Sequence, residues 1–184
     1  MSVVNWNEFV ATPGDATRYA IDAPFVINGM KYATNARIAI AVPCDEPDTA
    51  TCGRRLPNVK GLFDGVRSVS TWHPMPDSKP CEACKGSCRR KCQQCDGKCY
   101  LECNLGHEHA CENCELGLET CDQCSSHEHG VTFGDRVIAL RFCSSISRLP
   151  GPVLWGVSGS DPRDPVCFKF DGGVGVVMPV VEGA

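Results

Sequence analysis

The sequence predicts an α+β fold, in which residues 1–80 and 130–184 form one discontinuous domain and residues 81–129 form an irregular insert. Two observations lead to this division. Eleven of the 15 cysteines lie between Cys81 and Cys124, whereas both flanks have the mixed composition of an ordinary globular domain. In the C-terminal flank a helical pattern precedes three strand patterns, and the N-terminal flank is a weaker copy of that order.

The N-terminal flank contains one strong local signal. The pair Asn28-Gly29 separates two apolar runs and predicts a type I′ turn, and hence a hairpin of strands 25–27 and 30–34. The other patterns are less distinctive. We expect a short helix, a third strand, a loop and a second helix at residues 6–10, 37–42, 44–55 and 56–66, respectively.

The C-terminal flank begins with a predicted strand at residues 131–133. Asp135 is a suitable N-cap for a helix over residues 136–148, in which Ile138, Phe142 and Ile146 recur every fourth residue and form an apolar face. Pro150-Gly151 ends that helix. Three strands then follow, with Gly-rich and Asp-rich turns between them, at residues 152–158, 165–170 and 174–180.

Length and charge limit the classes of function. With 184 residues the chain can bury a core without disulfides or metals, and its net charge of -4 excludes a strongly basic nucleic-acid coat. No apolar run approaches the roughly 20 residues that span a bilayer, and no secretory signal is visible at the start. We therefore expect a cytoplasmic protein in a reducing compartment, with no membrane partner.

The insert is built from repeated cysteine pairs. Four CxxC units occur at residues 81/84, 92/95, 111/114 and 121/124. Two residues between the thiols let both sulfurs of a tight turn reach one ion, so two units complete a tetrahedral zinc site. Disulfides are disfavoured in a reducing compartment and by the odd number of cysteines. An iron–sulfur cluster and a metallothionein-like metal store remain as alternatives.

The insert resembles the cysteine-rich region of J-proteins (DnaJ-type co-chaperones), which consists of four CxxCxGxG units. The first two units here keep the first glycine, as Gly86 and Gly97, and carry Cys88 and Cys99 in place of the last. The resemblance implies that the outer units share one zinc and the inner units another. The implied ligands are Cys81, Cys84, Cys121 and Cys124 for site one, and Cys92, Cys95, Cys111 and Cys114 for site two.

Other thiols and histidines leave the ligand set open. A third zinc site could use Cys99, Cys103 and a histidine, so two zinc ions are expected, or three. The candidate extra ligands are Cys88, Cys99, Cys103, His107, His109, His127 and His129. The insert has five Lys and Arg residues against nine Asp and Glu residues, so its surface repels phosphate. This favours a protein-contact surface or a structural support over a reader of nucleic acid.

The flanks resemble bacterial DNA polymerase sliding clamps in two short motifs, residues 32–38 (YATNARI) and residues 176–180 (VVMPV). The resemblance implies strand–helix–three-strand halves that form one domain, and an apolar pocket for a partner's peptide. The residues that match the pocket are Thr34, Arg37, Ile38, Val176, Val177 and Met178. For Ile38, Val176 and Val177 the alternative is that they belong to the core of a sheet. A ring around DNA would require a homo-oligomer, with Arg136, Arg141 and Arg148 of the predicted helix facing the DNA.

These observations predict a non-enzymatic zinc-binding adaptor. No phosphate loop, nucleophile elbow or HExxH motif is present, and all-thiolate zinc sites are closed and structural. The adaptor would be clamp-like, would bind a protein partner and could bind DNA in replication or repair. The alternative is a chaperone-like or regulatory zinc module that binds proteins without DNA, and a third hypothesis is a metal-storage or thiol-redox protein.

Overall fold

A computed structural model describes residues 4–12, 19–50, 54–59, 61–77, 81–85, 87–114, 116–125 and 130–180. The strands are β1 (Phe25–Ile27), β2 (Met30–Thr34), β3 (Ile38–Pro43), β4 (His73–Pro74), β5 (Arg89–Lys91), β6 (Tyr100–Glu102), β7 (Glu108–Ala110), β8 (Leu118–Thr120), β9 (Val131–Phe133), β10 (Arg136–Ile138), β11 (Leu154–Val157), β12 (Val166–Phe170) and β13 (Gly173–Val177). The helices are α1 (Asp64–Ser68), α2 (Leu140–Ile146) and the 3₁₀-helices Trp6–Glu8 and Gln123–Ser125.

Within the described residues, seven strands form one antiparallel sheet in the order β1-β2-β3-β13-β12-β11-β4. Both flanks of the cysteine-rich segment contribute to this sheet. The central pairing joins β3 to β13, with Ile38 opposite Val177 and Ala41 opposite Val174. Strand β4, which precedes the cysteine-rich segment, pairs with β11 at one edge. The flanks on either side of the cysteine-rich segment therefore meet in the middle of the sheet.

The two faces of the sheet bury different residues because side chains alternate along a strand. Ile38, Ile40 and Val177 lie in the larger core, together with Phe133 of β9 and Phe142 of α2. The β9–β10 hairpin and α2 thus cover this face. On the opposite face Ala39, Cys167 and Val176 are buried, and the apolar side chains of residues 62–72 pack against them. The sheet is therefore a central layer with a cover on each side.

The predicted α+β fold with clamp-like halves is wrong. Strands dominate the described residues, chiefly as the seven-stranded antiparallel sheet, and the α-helices of that part are short. The predicted helix at residues 56–66 is largely replaced by non-helical chain, with α1 beginning only at Asp64. The long helix expected over residues 136–148 is shortened to α2, which has seven residues. The C-terminal flank has an extra strand, β10, before its helix, and the N-terminal flank has three strands before α1 and one short strand after it.

The start of the predicted C-terminal helix was wrong for a local reason. Gly134 takes a positive φ of 65° and forms, with Asp135, the turn between β9 and β10. Asp135 is therefore a turn residue and not an N-cap. Ile138, Phe142 and Ile146 are spaced as on one face of a helix, and all three lie in the larger core. Ile138, however, belongs to strand β10 and not to the helix.

Several local predictions are confirmed. Asn28 and Gly29 both take positive φ angles, 52° and 72°, as a type I′ turn requires, and β1 pairs with β2 across that turn. The three C-terminal strands form at the predicted places, as β11, β12 and β13. In the described part of the chain, no helix has the length and apolar character needed to cross a bilayer.

Candidate metal centres

The outer CxxC units come together in one cluster of thiols. Cys81 Sγ lies 3.8 Å from Cys121 Sγ, and Cys84 Sγ lies 3.2 Å from Cys124 Sγ. The four sulfurs all lie within 4.8 Å of one another, and the four side chains are buried. None of the four forms a disulfide. We call this cluster the outer centre.

The inner CxxC units form a second cluster of the same kind, which we call the inner centre. Cys92 Sγ lies 3.8 Å from Cys111 Sγ, and Cys95 Sγ lies 3.5 Å from Cys114 Sγ. Again the four sulfurs lie within 4.8 Å of one another, and only Cys114 is partly exposed. Leu101 packs against this centre from β6.

The spacing of the sulfurs matches a tetrahedral metal site. A metal–sulfur bond of about 2.3 Å places the sulfurs of a tetrahedron about 3.8 Å apart, close to the 3.2–3.8 Å of the nearest pairs. A disulfide would bring two sulfurs to about 2.05 Å. The two clusters could therefore hold two metal ions, one each.

Left-handed backbone turns follow the CxxC pairs and make the clusters compact. Lys85 and Asp96, which directly follow the second cysteine of their units, have φ angles of 51° and 49°. Cys88 and Cys99 also take positive φ angles, 58° and 70°, at the places where the J-protein repeat has glycine. The tight turn lets the amide of Cys88 donate a hydrogen bond to Cys84 Sγ, at 3.3 Å. Such amide–sulfur bonds orient the thiols and stabilise negative charge on them.

A two-stranded ladder links the two centres. Strands β5 and β8 pair between them, and the backbone amide of Cys121 donates to Cys88 O at one end of that ladder, while the amide of Cys92 donates to Gly117 O at the other. Beyond the inner centre β6 pairs with β7, and a turn at residues 103–107 ends the segment. The cysteine-rich segment is therefore one extended hairpin with a thiol cluster at each end of its first ladder.

The outer centre also contacts the rest of the protein. Leu140, the first residue of α2, is buried against the four thiols of this centre, and Val131 of β9 packs beside it. The helix that covers one face of the sheet therefore also supports the outer centre. Among the described apolar side chains that are buried or half-buried, those that pack against the inner centre all belong to the hairpin.

Burial changes the proton affinity of these thiols. It raises the pKa of Cys121 and of Cys124, and the neighbouring thiol of Cys84 reinforces the effect at Cys124. In the inner centre burial and the thiols of Cys95 and Cys111 raise the pKa of Cys114 to about 12. Burial also acts on Cys95, but hydrogen bonds from the Cys114 thiol and the Cys99 amide outweigh it and lower the pKa to about 7. A metal must therefore displace protons when it binds.

The described residues do not assemble the predicted third site. Among the described residues no further group of three such side chains comes within metal-binding distance. Cys99, His107 and His109 are exposed, whereas Cys103 is half-buried, and hydrogen bonds from the Leu105 and His107 amides lower its pKa. Cys88 packs against the outer centre as a fifth, half-buried thiol. His127 and His129 lie outside the described residues.

The predicted peptide pocket is not formed by the residues expected to line it. Ile38 and Val177 face the larger core, whereas Val176 faces the opposite side of the sheet. Thr34 is buried, and its hydroxyl donates a hydrogen bond to Ile38 O at 2.9 Å. The amide of Met178 donates to Arg37 O. These residues are therefore parts of the sheet and its turn, and they do not form one apolar surface.

The predicted DNA-facing arginines also separate. Arg136 is only 2% exposed, and its guanidinium donates to the carbonyl oxygens of Gly159, Asp161 and Asp164 at 2.7–3.0 Å. It therefore holds a loop in place and cannot face DNA. Arg148 is exposed and forms an ion pair with Glu8 at 2.7 Å. Arg141 is half-buried beside the outer centre.

Sequence reasoning missed two features of the hairpin. Leu105 and Leu116 are 80% and 85% exposed. The segment is irregular and has no apolar periodicity from which this exposure could be predicted. Gly117 lies against the backbone of Gly97, so the two glycines pack the two halves of the inner centre together. The glycines of the CxxC units gave a signal for this contact, because a repeat that keeps glycine beside its ligands indicates close backbone approach.

Comparisons with protein-family models, with curated proteins and with solved structures find no match for this chain.

Proposed function

We propose that both centres bind zinc, and that the chain is a non-enzymatic zinc protein whose cysteine-rich hairpin binds partner proteins. Two four-thiol clusters support the first part, because a closed tetrahedral set of four thiolates suits zinc in a structural role. A catalytic zinc keeps a position open for water or substrate, and neither cluster of thiols leaves one.

The observation that carries the second part is the distribution of exposed apolar side chains. In the described part of the chain, four large apolar residues are well exposed, and all four belong to the hairpin: Tyr100, Leu105, Leu116 and Leu118. Exposed apolar side chains concentrated in one segment are typical of interaction sites, because burying them against a partner removes them from water. The sheet domain described above exposes no comparable set.

The resemblance to J-proteins supports a chaperone-like form of this activity. The pairing of outer with outer and inner with inner units agrees with the arrangement that the resemblance implies. The partner would then be an unfolded or extended segment with apolar side chains. DNA is not part of this proposal, because Arg136 is buried and the hairpin carries more acidic than basic residues.

An aggregation assay tests the proposal. We expect the zinc-loaded protein to suppress aggregation of an unfolded client, and the substitutions Leu105→Asp and Leu116→Asp to remove most of that effect. Asn104→Asp is the matched control, because it adds the same charge beside Leu105 without removing apolar surface. Metal content, measured by native mass spectrometry, must stay unchanged in all variants.

If the wild-type protein has no effect on the client, or if Asn104→Asp is as damaging as Leu105→Asp, the proposed protein-binding surface is wrong. The zinc sites would stand independently of that result, since their test is the bound metal itself.

A further inference from the structure

A cavity of about 440 Å³ lies where the hairpin meets the sheet domain. Four arginines from three parts of the chain line it: Arg37 of the β2–β3 turn, Arg89 of β5, and Arg141 and Arg148, which lie in α2 and just after it. Among the described residues of the lining, Glu8 alone is acidic. The cavity therefore has a marked excess of positive charge in a protein whose net charge is negative.

Arg141 is half-buried at this cavity. Its Nε atom is buried and has no hydrogen-bond partner in the described structure. The guanidinium lies over the ring of Phe142, with Cζ 4.6 Å from the ring centroid. Burial and the nearby charge of Arg37 lower the pKa of Arg141, although Cys88 and Cys124 act in the opposite direction. A half-buried charged group with an unpaired donor is costly, so an anion in the cavity beside the guanidinium would be stabilising.

Two further sets of polar contacts involve arginines of the cavity. Arg148 donates to both carboxylate oxygens of Glu8, at 2.7–3.2 Å. Asn35 Oδ1 accepts hydrogen bonds from the amides of Arg37 and Ile38, which fixes the turn that carries Arg37. Glu8 thus neutralises Arg148 at one side of the cavity, whereas the hydrogen-bonded turn at Asn35 holds Arg37 beside it.

We propose that this cavity binds the phosphate group of a small ligand, with Arg37 and Arg141 as its principal partners. Guanidinium groups bind phosphate through two parallel hydrogen bonds, and a dianion with several acceptor oxygens can engage more than one arginine at once. A monocarboxylate would engage fewer of them. The cavity volume exceeds that of one phosphate and lies within the range of small-molecule sites, so it leaves room for the organic part of the ligand.

Isothermal titration of the metal-loaded protein with inorganic phosphate and pyrophosphate tests this site, with acetate as the carboxylate control. We expect both phosphates to bind and acetate not to compete. Arg141→Gln and Arg37→Gln should each weaken binding about tenfold or more, as expected for the loss of a bidentate partner. Glu8→Gln should strengthen binding, because it frees Arg148. Arg163→Gln, on an exposed arginine paired with Asp161, should change nothing.

Three results would overturn the proposal. The first is no binding of phosphate or pyrophosphate by the wild-type protein. The second is binding that Arg141→Gln and Arg37→Gln leave unchanged, or that accompanies loss of metal in native mass spectra. The third is that Arg141→Gln lowers only the metal affinity of the outer centre, which would mean that Arg141 serves to balance the thiolates. Arg37 is an exposed turn residue, so its variant keeps the test valid if Arg141→Gln does not fold.

Discussion

Gly117 and Gly97 show how single residues determine the inner centre. Gly117 has a φ of 77°, and a Cβ there would collide with the backbone carbonyl of Gly97. Gly106, in the turn that ends the hairpin, has the same φ, but a Cβ there would meet only the flexible end of Glu102, at 3.9 Å. Alanine at Gly106 would therefore show only the cost of the left-handed backbone, whereas alanine at Gly117 would show that cost together with the collision.

We expect Gly117→Ala to weaken metal binding at the inner centre, because the two halves of that centre can no longer approach. The left-handed conformation costs alanine about 1–2 kcal/mol at either glycine, and the collision adds about 1–3 kcal/mol at Gly117. Chelator competition measures the difference. Equal losses of metal affinity in Gly117→Ala and Gly106→Ala would show that the contact with Gly97 has no role.

Arg136 is a second residue with a specific structural role, because its buried guanidinium holds a loop in place. Its guanidinium satisfies three carbonyl oxygens and lies 2.9 Å from Asp135 Oδ1. We expect Arg136→Met to reduce the free energy of unfolding by about 3 kcal/mol, because buried acceptors are left unpaired. Arg163→Met, at an exposed position, should change it by less than about 0.5 kcal/mol. Chemical denaturation measures both, and similar values for the two variants would contradict this role.

At the scale of elements, α2 serves both the core and the outer centre. Phe142, Cys143 and Ile146 are buried in the larger core, whereas Leu140 packs against the thiols. Burial raises the pKa of Cys143 to about 12. Because an unfolded thiol ionises near pH 8.5, the unfolded state loses this proton first as the pH rises. The contribution of Cys143 to stability is therefore complete below about pH 8.5 and falls as the pH increases toward 12.

We expect the metal-loaded protein to lose part of its stability between about pH 8 and about pH 10 through this group. Denaturation midpoints across that range measure the effect. Cys143→Ala lacks the titrating thiol, so its stability should decline less over the same range. A decline as steep in Cys143→Ala as in the wild-type protein would assign the alkaline loss to other groups.

The elements also show what the sequence could predict. Asn28-Gly29 specifies its turn through local backbone preferences, so the hairpin was predictable, and the three C-terminal strands were bounded by clear turns. Gly134-Asp135 was misjudged, because an aspartate before an apolar helical pattern looks like an N-cap. The pairing of β3 with β13 joins residues far apart in the chain, and no local pattern indicates it.

The same contrast holds for the sites. The CxxC spacing defined the thiol pairs, and the resemblance to J-proteins implied which pairs meet. The arginines of the cavity come from three distant segments, so only the tertiary fold brings Arg37 beside Arg141. For Ile38, Val176 and Val177, alternation along two strands explains why short clamp-like motifs ended in the sheet core.

At the scale of the whole molecule, the sheet core and the hairpin depend on different forces. Apolar side chains from both flanks pack together in the core of the sheet, whereas the buried side chains of the hairpin are chiefly cysteines of the two centres. Metal binding would therefore contribute most of the folding free energy of the hairpin and little of that of the sheet. The division of the chain into a discontinuous domain and an insert is a prediction that this difference tests.

We expect a strong chelator to expose the amides of the paired strands β5 and β8 to hydrogen exchange, while those of β3, β12 and β13 stay protected. Hydrogen exchange with mass spectrometry reads both regions in one experiment. Protection of the hairpin that survives complete metal removal would contradict a structural role for the metal. Loss of protection throughout the sheet would contradict the division into two parts.

The most direct test of the central claim, two structural four-thiol metal sites, is a native mass spectrum of the purified protein. We expect two zinc ions per chain, no mass loss from disulfide formation, and one zinc ion in Cys121→Ser, whereas Cys99→Ser keeps two. The same spectrum reports whether the chain forms a homo-oligomer. A metal-free chain, disulfide-linked cysteines, or two zinc ions retained by Cys121→Ser would contradict the assignment of the outer and inner centres.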